Sequence, residues 1–310
     1  MFSCSLETKS FNNLFEETEM STVQMKPTLS VPIFGGEITV HGFGREHGCN
    51  FSFKGIDTSP DARETHSGIF DALASIEGRH AYLAPSPILM NAEILKEEEM
   101  WAGNRWNFSG KSLFRSSEAD GIQGITVRRG YAVSAADCAL VVAKHGDLII
   151  AAHAGRNSVI DMDYMKGKPE RRNESVVHSI RNAIGLTGRN FRDTRVWVGF
   201  SISPGPHFAH AINDERNPHN RKMVGEITKK YGPGCFLDDG QEGALGWLDN
   251  KELIRRQFTT LGVREENIEL DSVCTYSDKD VNGEPVWYSS KRQLVNEESQ
   301  KRNLMVVVKN

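Results

Sequence analysis

Residues 134–155 read SAADCALVVAKHGDLIIAAHAG, two apolar runs around a polar turn. Ala139 to Ala143 and Leu148 to Ala152 carry small and β-branched residues with no charge among them, the composition of strands buried on both faces. Lys144-His145-Gly146-Asp147 supplies a glycine-containing polar turn, so the two runs are predicted to form a hairpin. A hairpin returns the end of its second strand to the start of its first, which makes Cys138 and His153 predicted neighbours. A neighbouring imidazole stabilises a thiolate, the form of cysteine that acts as nucleophile or metal ligand. The pair alone is not specific, because a buried cysteine also serves as a small core hydrophobe.

Outward from the hairpin, further runs have strand composition: Ile38 to Val40, Ala132 to Ser134, Val196 to Phe200, Ser272 to Tyr276 and Met305 to Val308. Helices are predicted over Asp61 to Ile76, capped by Thr58 or Ser59 with Pro60 in the first turn, over Glu174 to Ile184, and over Asn250 to Leu261, stopped by Gly262. Strands and helices alternate along the chain, the order of an α/β or α+β sandwich. Residues 1–28, rich in Ser, Thr, Glu and Asn, are expected to be a loosely held extension, and 29–310 one domain without internal repeat or linker. Met162 to Asn173 reads as a basic surface loop and Lys96 to Glu99 as a solvated charge run.

The formal net charge of −4 gives no electrostatic reason to propose a nucleic acid or an anionic membrane as partner, which leaves a small molecule or a protein. The five cysteines, Cys4, Cys49, Cys138, Cys235 and Cys274, are scattered and include no CxxC pair, which argues against a disulfide framework and a zinc ribbon. Glu7, Lys9, Glu16 and Glu17 interrupt any signal-like apolar run, and no stretch is long enough to span a bilayer. The chain reads as cytoplasmic.

Five short motifs occur in a fixed order: His41-Gly-Phe-Gly-Arg45, Ala119-Asp-Gly121, Ala135-Ala-Asp-Cys138, Ala151-Ala-His-Ala-Gly155, and Cys274-Thr-Tyr-Ser277 followed by Trp287-Tyr-Ser289. In this the chain resembles the YfiH-type laccase-domain family, also called the multicopper polyphenol oxidoreductase family, over about Pro32 to Lys309. The resemblance implies a single mixed-sheet α/β sandwich with a pocket where one Cys and two His hold zinc. Cys138 and His153 match two of those ligands, with Asp137 beside them as a further candidate catalytic residue. Three protein ligands and a water make a catalytic zinc site. The activities implied are adenosine deamination and purine nucleoside phosphorolysis, with phenol oxidation as an older assignment.

Departures from the family pattern cluster at the site. Asn91 stands where the other histidine ligand is expected, and an amide oxygen is a poor zinc ligand. The third ligand stays open among His80, His207 and His210. Arg156-Asn157 replaces a Trp-Arg pair, and Ser289-Ser-Lys-Arg292 replaces Ser-Tyr-Arg-Arg. Arg45, Arg156, Lys291 and Arg292, with Asn91, are the candidate substrate-binding groups, since arginine holds a phosphate or carboxylate in a fork and lysine does not.

Three functions compete. The first is C–N bond cleavage of a purine nucleoside, with or without phosphate, at a Cys/His site that holds zinc if a third ligand is found. The second resembles toxin-type protein deamidases, in which a Cys138 nucleophile attacks a glutamine amide and His153 protonates the departing ammonia. The third is an inactive binding protein that keeps the fold. A multicopper laccase is not expected, because the ten histidines include no His-x-His pair.

Overall fold

The two apolar runs are paired as the sequence predicts: β-strands over Ala139–His145 and Leu148–Ala154 run antiparallel, with His153 opposite Leu140 and Ala154 opposite Ala139. Nearly every residue of the pair is buried, so both faces must be covered by other elements. The computed structural model describes residues 25–86, 92–124, 127–161, 175–186, 188, 190–205, 220–238, 245–292 and 301–310. The proposed extension, and the basic loop at 162–173, fall largely or wholly outside them.

In chain order the strands are β1 (Leu29–Ile33), β2 (Ile38–Phe43), β3 (Ala81–Ser86), β4 (Ile94–Lys96), β5 (Asn104–Phe108), β6 (Lys111–Glu118) and β7 (Gly121–Gly124). They continue as β8 (Arg129–Ala135), β9 (Ala139–His145), β10 (Leu148–Ala154), β11 (Arg195–Gly199), β12 (Phe236–Asp238), β13 (Leu245–Leu248), β14 (Ile268–Leu270) and β15 (Asn303–Lys309). One mixed sheet has the order β1-β2-β15-β8-β3-β6-β5, the second β14-β11-β9-β10-β7-β4, and β12-β13 form a small ribbon.

Strand alternation assigns the layers. Leu140, Val142, Ile149 and Ala151 of the second sheet meet Val40, Leu83, Val133 and Val307 of the first in a shared core. Val141, Ala143, Ile150 and Ala152 face the other way, onto helices α5 (Val176–Gly185), α6 (Asn220–Tyr231) and α7 (Asn250–Thr260). The far side of the first sheet packs Tyr82, Ala132 and Val306 against α2 (Ser67–Ser75), which follows the short α1 (Ala62–Thr65). The molecule is therefore a four-layer α/β/β/α sandwich, completed by the short α3 (Glu97–Met100) and α4 (Arg156–Val159). Among the described residues no helix is long and apolar enough to cross a membrane.

Three expectations are corrected. The helix over 61–76 is broken at His66, which leaves helical geometry with φ −123° and ψ 28°; its ring lies against the Thr65 hydroxyl and the Lys54 carbonyl. Ser272 to Tyr276 makes only a bridge from Cys274 to Ser201, because side chains take its backbone groups: Lys251 Nζ donates to the Val273 carbonyl at 2.7 Å, and the Cys274 N–H donates to Asp278 Oδ2 at 3.0 Å. The charge run at 96–99 is not uniformly solvated, since Glu97 is buried and accepts from Tyr131 and Arg129.

Trp287 anchors the segment leading to Ser289 and Ser290. Its ring is buried edge-on to Phe200 at 5.1 Å and abuts Gly42 and Gly44 of the β2 region so closely that a Cβ at either glycine would collide with it or with Phe200. Trp287→Ala is expected to lower unfolding stability by about 3–5 kcal/mol, measured by urea denaturation.

Candidate active site

Cys138 sits where the chain crosses between the sheets. Ala135 ends β8 in the first sheet and Ala139 begins β9 in the second, so Ala136 to Cys138 bridge them at one end of the sandwich. His153 alternates with Ala152 and Ala154, whose side chains join the helix-facing core, and therefore turns toward the inter-sheet side where Cys138 lies. Both line a cavity of about 510 Å³ with Ser52, Phe53, Lys54, Asp57, Arg115, Ser134, Asp137, Ser290 and Arg302.

His153 is fixed from three sides. Its backbone N–H donates to the Asp120 carbonyl at 2.7 Å, and its Nδ1 lies 3.2 Å from Asp120 Oδ1. Asp120 has no exposed surface, and its other oxygen accepts the Ala92 N–H at 2.6 Å. With Nδ1 donating to the carboxylate, Nε2 is left for Cys138, to which the ring is hydrogen-bonded. Gly155 locates the same meeting point: a Cβ there would fall 2.8 Å from His153 Cε1, 3.2 Å from Cys138 Sγ and 3.4 Å from His153 Nε2. Cys138, His153 and Asp120 thus form a relay of thiol, imidazole and carboxylate.

Burial of His153 works against its charged form, but the charge of Cys138 and the hydrogen bonds to Asp120 and Cys138 outweigh it and push the imidazole pKa up to about 10. At neutral pH the proton belongs on the ring. Arg156 stands within the field of the same thiol. Burial draws its pKa down, and the Cys138 charge opposes that shift.

Asp137, read from sequence as catalytic, has a carboxylate already occupied. Oδ1 accepts from Thr275 Oγ1 at 2.9 Å, and Oδ2 from Ser290 Oγ and from the Lys291 N–H. Its carbonyl accepts from the Ile202 N–H at 3.1 Å and from Ser201 Oγ at 3.2 Å. It binds the crossover to two loops instead of presenting a basic oxygen to the cavity.

The other sequence candidates divide. Lys291 reaches Asp137 through its backbone N–H. Arg292 is corrected as an anion-binding group: its guanidinium donates to the Tyr276 and Trp287 carbonyls and lies over the Tyr276 ring. Arg45 is corrected likewise, for it lines a separate cleft of about 260 Å³ with Glu46, Asp280 and Glu284, whose acidity disfavours an anion. His80 is exposed at the start of β3 and is not part of the cavity lining. Asn91, His207 and His210 lie outside the described residues.

Sequence reasoning missed the role of Asp120, although Ala119-Asp-Gly121 was visible as a motif. Its meaning comes from the long-range pairing of β10 with β7, which sets Ala152 opposite Gly121. It also missed Asp57, Arg115 and Arg302, which come from segments remote in sequence.

As a metal site, the described residues supply two strong donors, Cys138 and His153, and no group of three His, Cys, Asp or Glu converges among them. A catalytic zinc takes three protein ligands, and the Arg156 charge competes for the thiolate. Among the described residues Cys138 and His153 are thus two of the three ligands such a site needs.

A family model described as multi-copper polyphenol oxidoreductase laccase matches residues 91–294. Among solved structures, the chain is similar to the Neisseria meningitidis protein NMB0706, at 16% identity and TM-score 0.56 over 91% of this chain and 98% of that one. It is similar also to the Geobacillus stearothermophilus protein YlmD, at 17% and 0.54 over 88% and 92%. For the Bacillus licheniformis hypothetical protein YfiH the values are 15% and 0.53 over 88% and 93%. These likenesses show the fold, a YfiH-type mixed α/β sandwich. No curated protein sequence matches the chain.

The relay makes two substitutions informative. Asp120→Asn removes a carboxylate that orients the His153 ring and favours its charged form, and should slow alkylation of Cys138 by iodoacetamide at pH 7. Gly155→Ala, which forces the pair apart, should slow the same reaction with little change in far-ultraviolet circular dichroism. Peptide mass analysis at Cys138 reads both.

Proposed function

Because the chain belongs to the multi-copper polyphenol oxidoreductase laccase family, whose solved relatives share its sandwich, we propose that it is an enzyme of the nucleoside-cleaving kind. In this reading it releases an amino group hydrolytically from a purine nucleoside. The observation that carries the proposal is the Cys138–His153–Asp120 relay at the floor of a cavity of about 510 Å³. That volume suits a small-molecule ligand, which typically fills 300–1,000 Å³.

The steps follow from the relay. The Cys138 thiolate attacks the purine carbon that bears the amino group, forming a C–S bond as the carbon–nitrogen π pair moves to the ring nitrogen, which takes a proton from solvent water. The His153 imidazolium gives its proton to the departing nitrogen, and the C–N bond breaks to release ammonia. The neutral imidazole then takes a proton from water as its oxygen attacks the same carbon. The hydroxyl proton returns to solvent as the carbonyl forms, the C–S bond breaks, and the thiolate and imidazolium are restored. Asp120 holds the ring orientation throughout and favours its charged form.

Phenol oxidation is the reading the family description suggests. A multicopper centre requires several clustered histidines, whereas the Cys138–His153–Asp120 relay supplies a nucleophile and a proton donor, and on that ground the proposal assigns the site to hydrolysis. A protein carboxamide is the second reading, favoured because the relay is equally suited to a thioester formed at an amide carbon.

Incubation of the pure protein with adenosine, with and without phosphate, followed by chromatography, tests the first reading. Inosine and ammonia are expected in both conditions, and Cys138→Ala should lower the rate by ~10³-fold or more. Inert adenosine together with a one-dalton gain on a glutamine peptide would select the second reading. Copper-dependent phenol oxidation lost in Cys138→Ala would overturn both.

A further inference from the structure

Three cations line the cavity that holds Cys138, and they are not equivalent. Arg115, buried at 4% exposure, donates to Asp57 through Nε and Nη2 at 3.2 and 3.1 Å and covers the Phe53 ring at 4.6 Å. Its charge is answered by the Asp57 carboxylate, so the pair contributes little net charge. Asp137, the other carboxylate in the lining, is saturated by Thr275, Ser290 and Lys291. Lys54 and Arg302 are different, since neither makes an ion pair with a carboxylate among the described residues, and Arg302 Nη1 donates to the adjacent Lys301 carbonyl.

The segments that carry these two residues are joined by the fold. Asn50 Oδ1 accepts the N–H of Ser52 at 3.1 Å and that of Arg302 at 3.1 Å, and the Phe51 N–H donates to the Arg302 carbonyl at 3.3 Å. The loop carrying Lys54 is thereby stapled to the residue that leads into β15, although the two are about 250 residues apart in sequence. Two cations with no carboxylate partner among the described residues, lining one concave, partly apolar cavity, raise the local concentration of anions, and a guanidinium fork and an ammonium on one lining suit the oxygens of a dianion.

We infer that Lys54 and Arg302 form an anion subsite of the Cys138 cavity and that the substrate carries a phosphoryl group there. Resting on the nucleoside reading above, the substrate class becomes a nucleoside 5′-monophosphate in preference to a free nucleoside. The sugar spaces the phosphoryl group from the base, so one molecule can place its anion on Lys54 and Arg302 and its amino-bearing carbon at Cys138.

Alkylation of Cys138 by iodoacetate, an anion, and by iodoacetamide, its neutral counterpart, tests the subsite without requiring any turnover. At low salt the ratio of the two rates at Cys138, read by peptide mass, is expected to exceed that of a neutral small thiol by roughly tenfold or more. Lys54→Gln with Arg302→Gln should return the ratio to the small-thiol value, as should raised salt. An equal ratio in the wild-type and double-variant proteins would overturn the subsite. Protection of Cys138 from iodoacetamide then tests the ligand: adenosine 5′-monophosphate should protect at concentrations tenfold or more below adenosine, and the double variant should lose the difference. Equal protection by the two, or better protection by a dicarboxylate, would overturn the phosphoryl assignment. A raised iodoacetate ratio with no protection by either nucleoside or nucleotide would leave the subsite standing and reject the nucleoside reading instead.

Discussion

A carboxylate with no exposed surface is tolerated only when its charge is answered, and Asp120 is answered by the Ala92 N–H on one oxygen and the His153 ring on the other. That demand organises the site. It fixes which nitrogen of His153 carries a proton toward the interior, and so which nitrogen is left for Cys138. It also favours the imidazolium in a setting where burial alone would drive the ring to neutrality. The thiol in turn supports the charge on the ring. Removing any one member leaves the other two with a buried group improperly paired, so the three should behave as a unit rather than as separable contributions.

Asp137 serves the same site differently. By accepting from Thr275, Ser290 and Lys291, and by holding Ile202 and Ser201 through its carbonyl, it joins the β8 to β9 crossover to the segments around Cys274 and Trp287. Those motifs are far apart in sequence, and their meeting point is the residue immediately before the thiol. The Trp287 ring, packed on Phe200 and on the bare backbones of Gly42 and Gly44, supplies the apolar weight that keeps the segment in place.

Much of this could be read in the sequence where local pattern decides structure. The β9–β10 hairpin was legible because two uncharged runs flank a polar glycine turn, and with it the approach of Cys138 to His153. The helices over 176–185 and 250–260 were legible from their apolar periodicity and terminal glycines. Asp120 was not, because its partner is set by β7 pairing with β10 across some thirty residues of chain. The roles of Arg45 and Arg292 misled for a related reason: an arginine looks alike in sequence whether it faces a ligand or caps backbone carbonyls. Ser272 to Tyr276 had strand composition, yet the buried Lys251 ammonium captured its Val273 carbonyl and the Asp278 carboxylate its Cys274 N–H.

Cys138, His153 and Asp120 are coupled through the protons of one imidazole, and the protonation state of His153 reports that coupling most directly. Nitrogen-15 chemical shifts of the labelled His153 ring, followed from pH 5 to 11, are predicted to show an imidazolium at neutral pH that titrates near 10, and to show that pKa falling when Cys138 is replaced by serine. A ring that is neutral at pH 8, titrating near its ordinary 6.5 with or without the Cys138 thiol, would contradict the account.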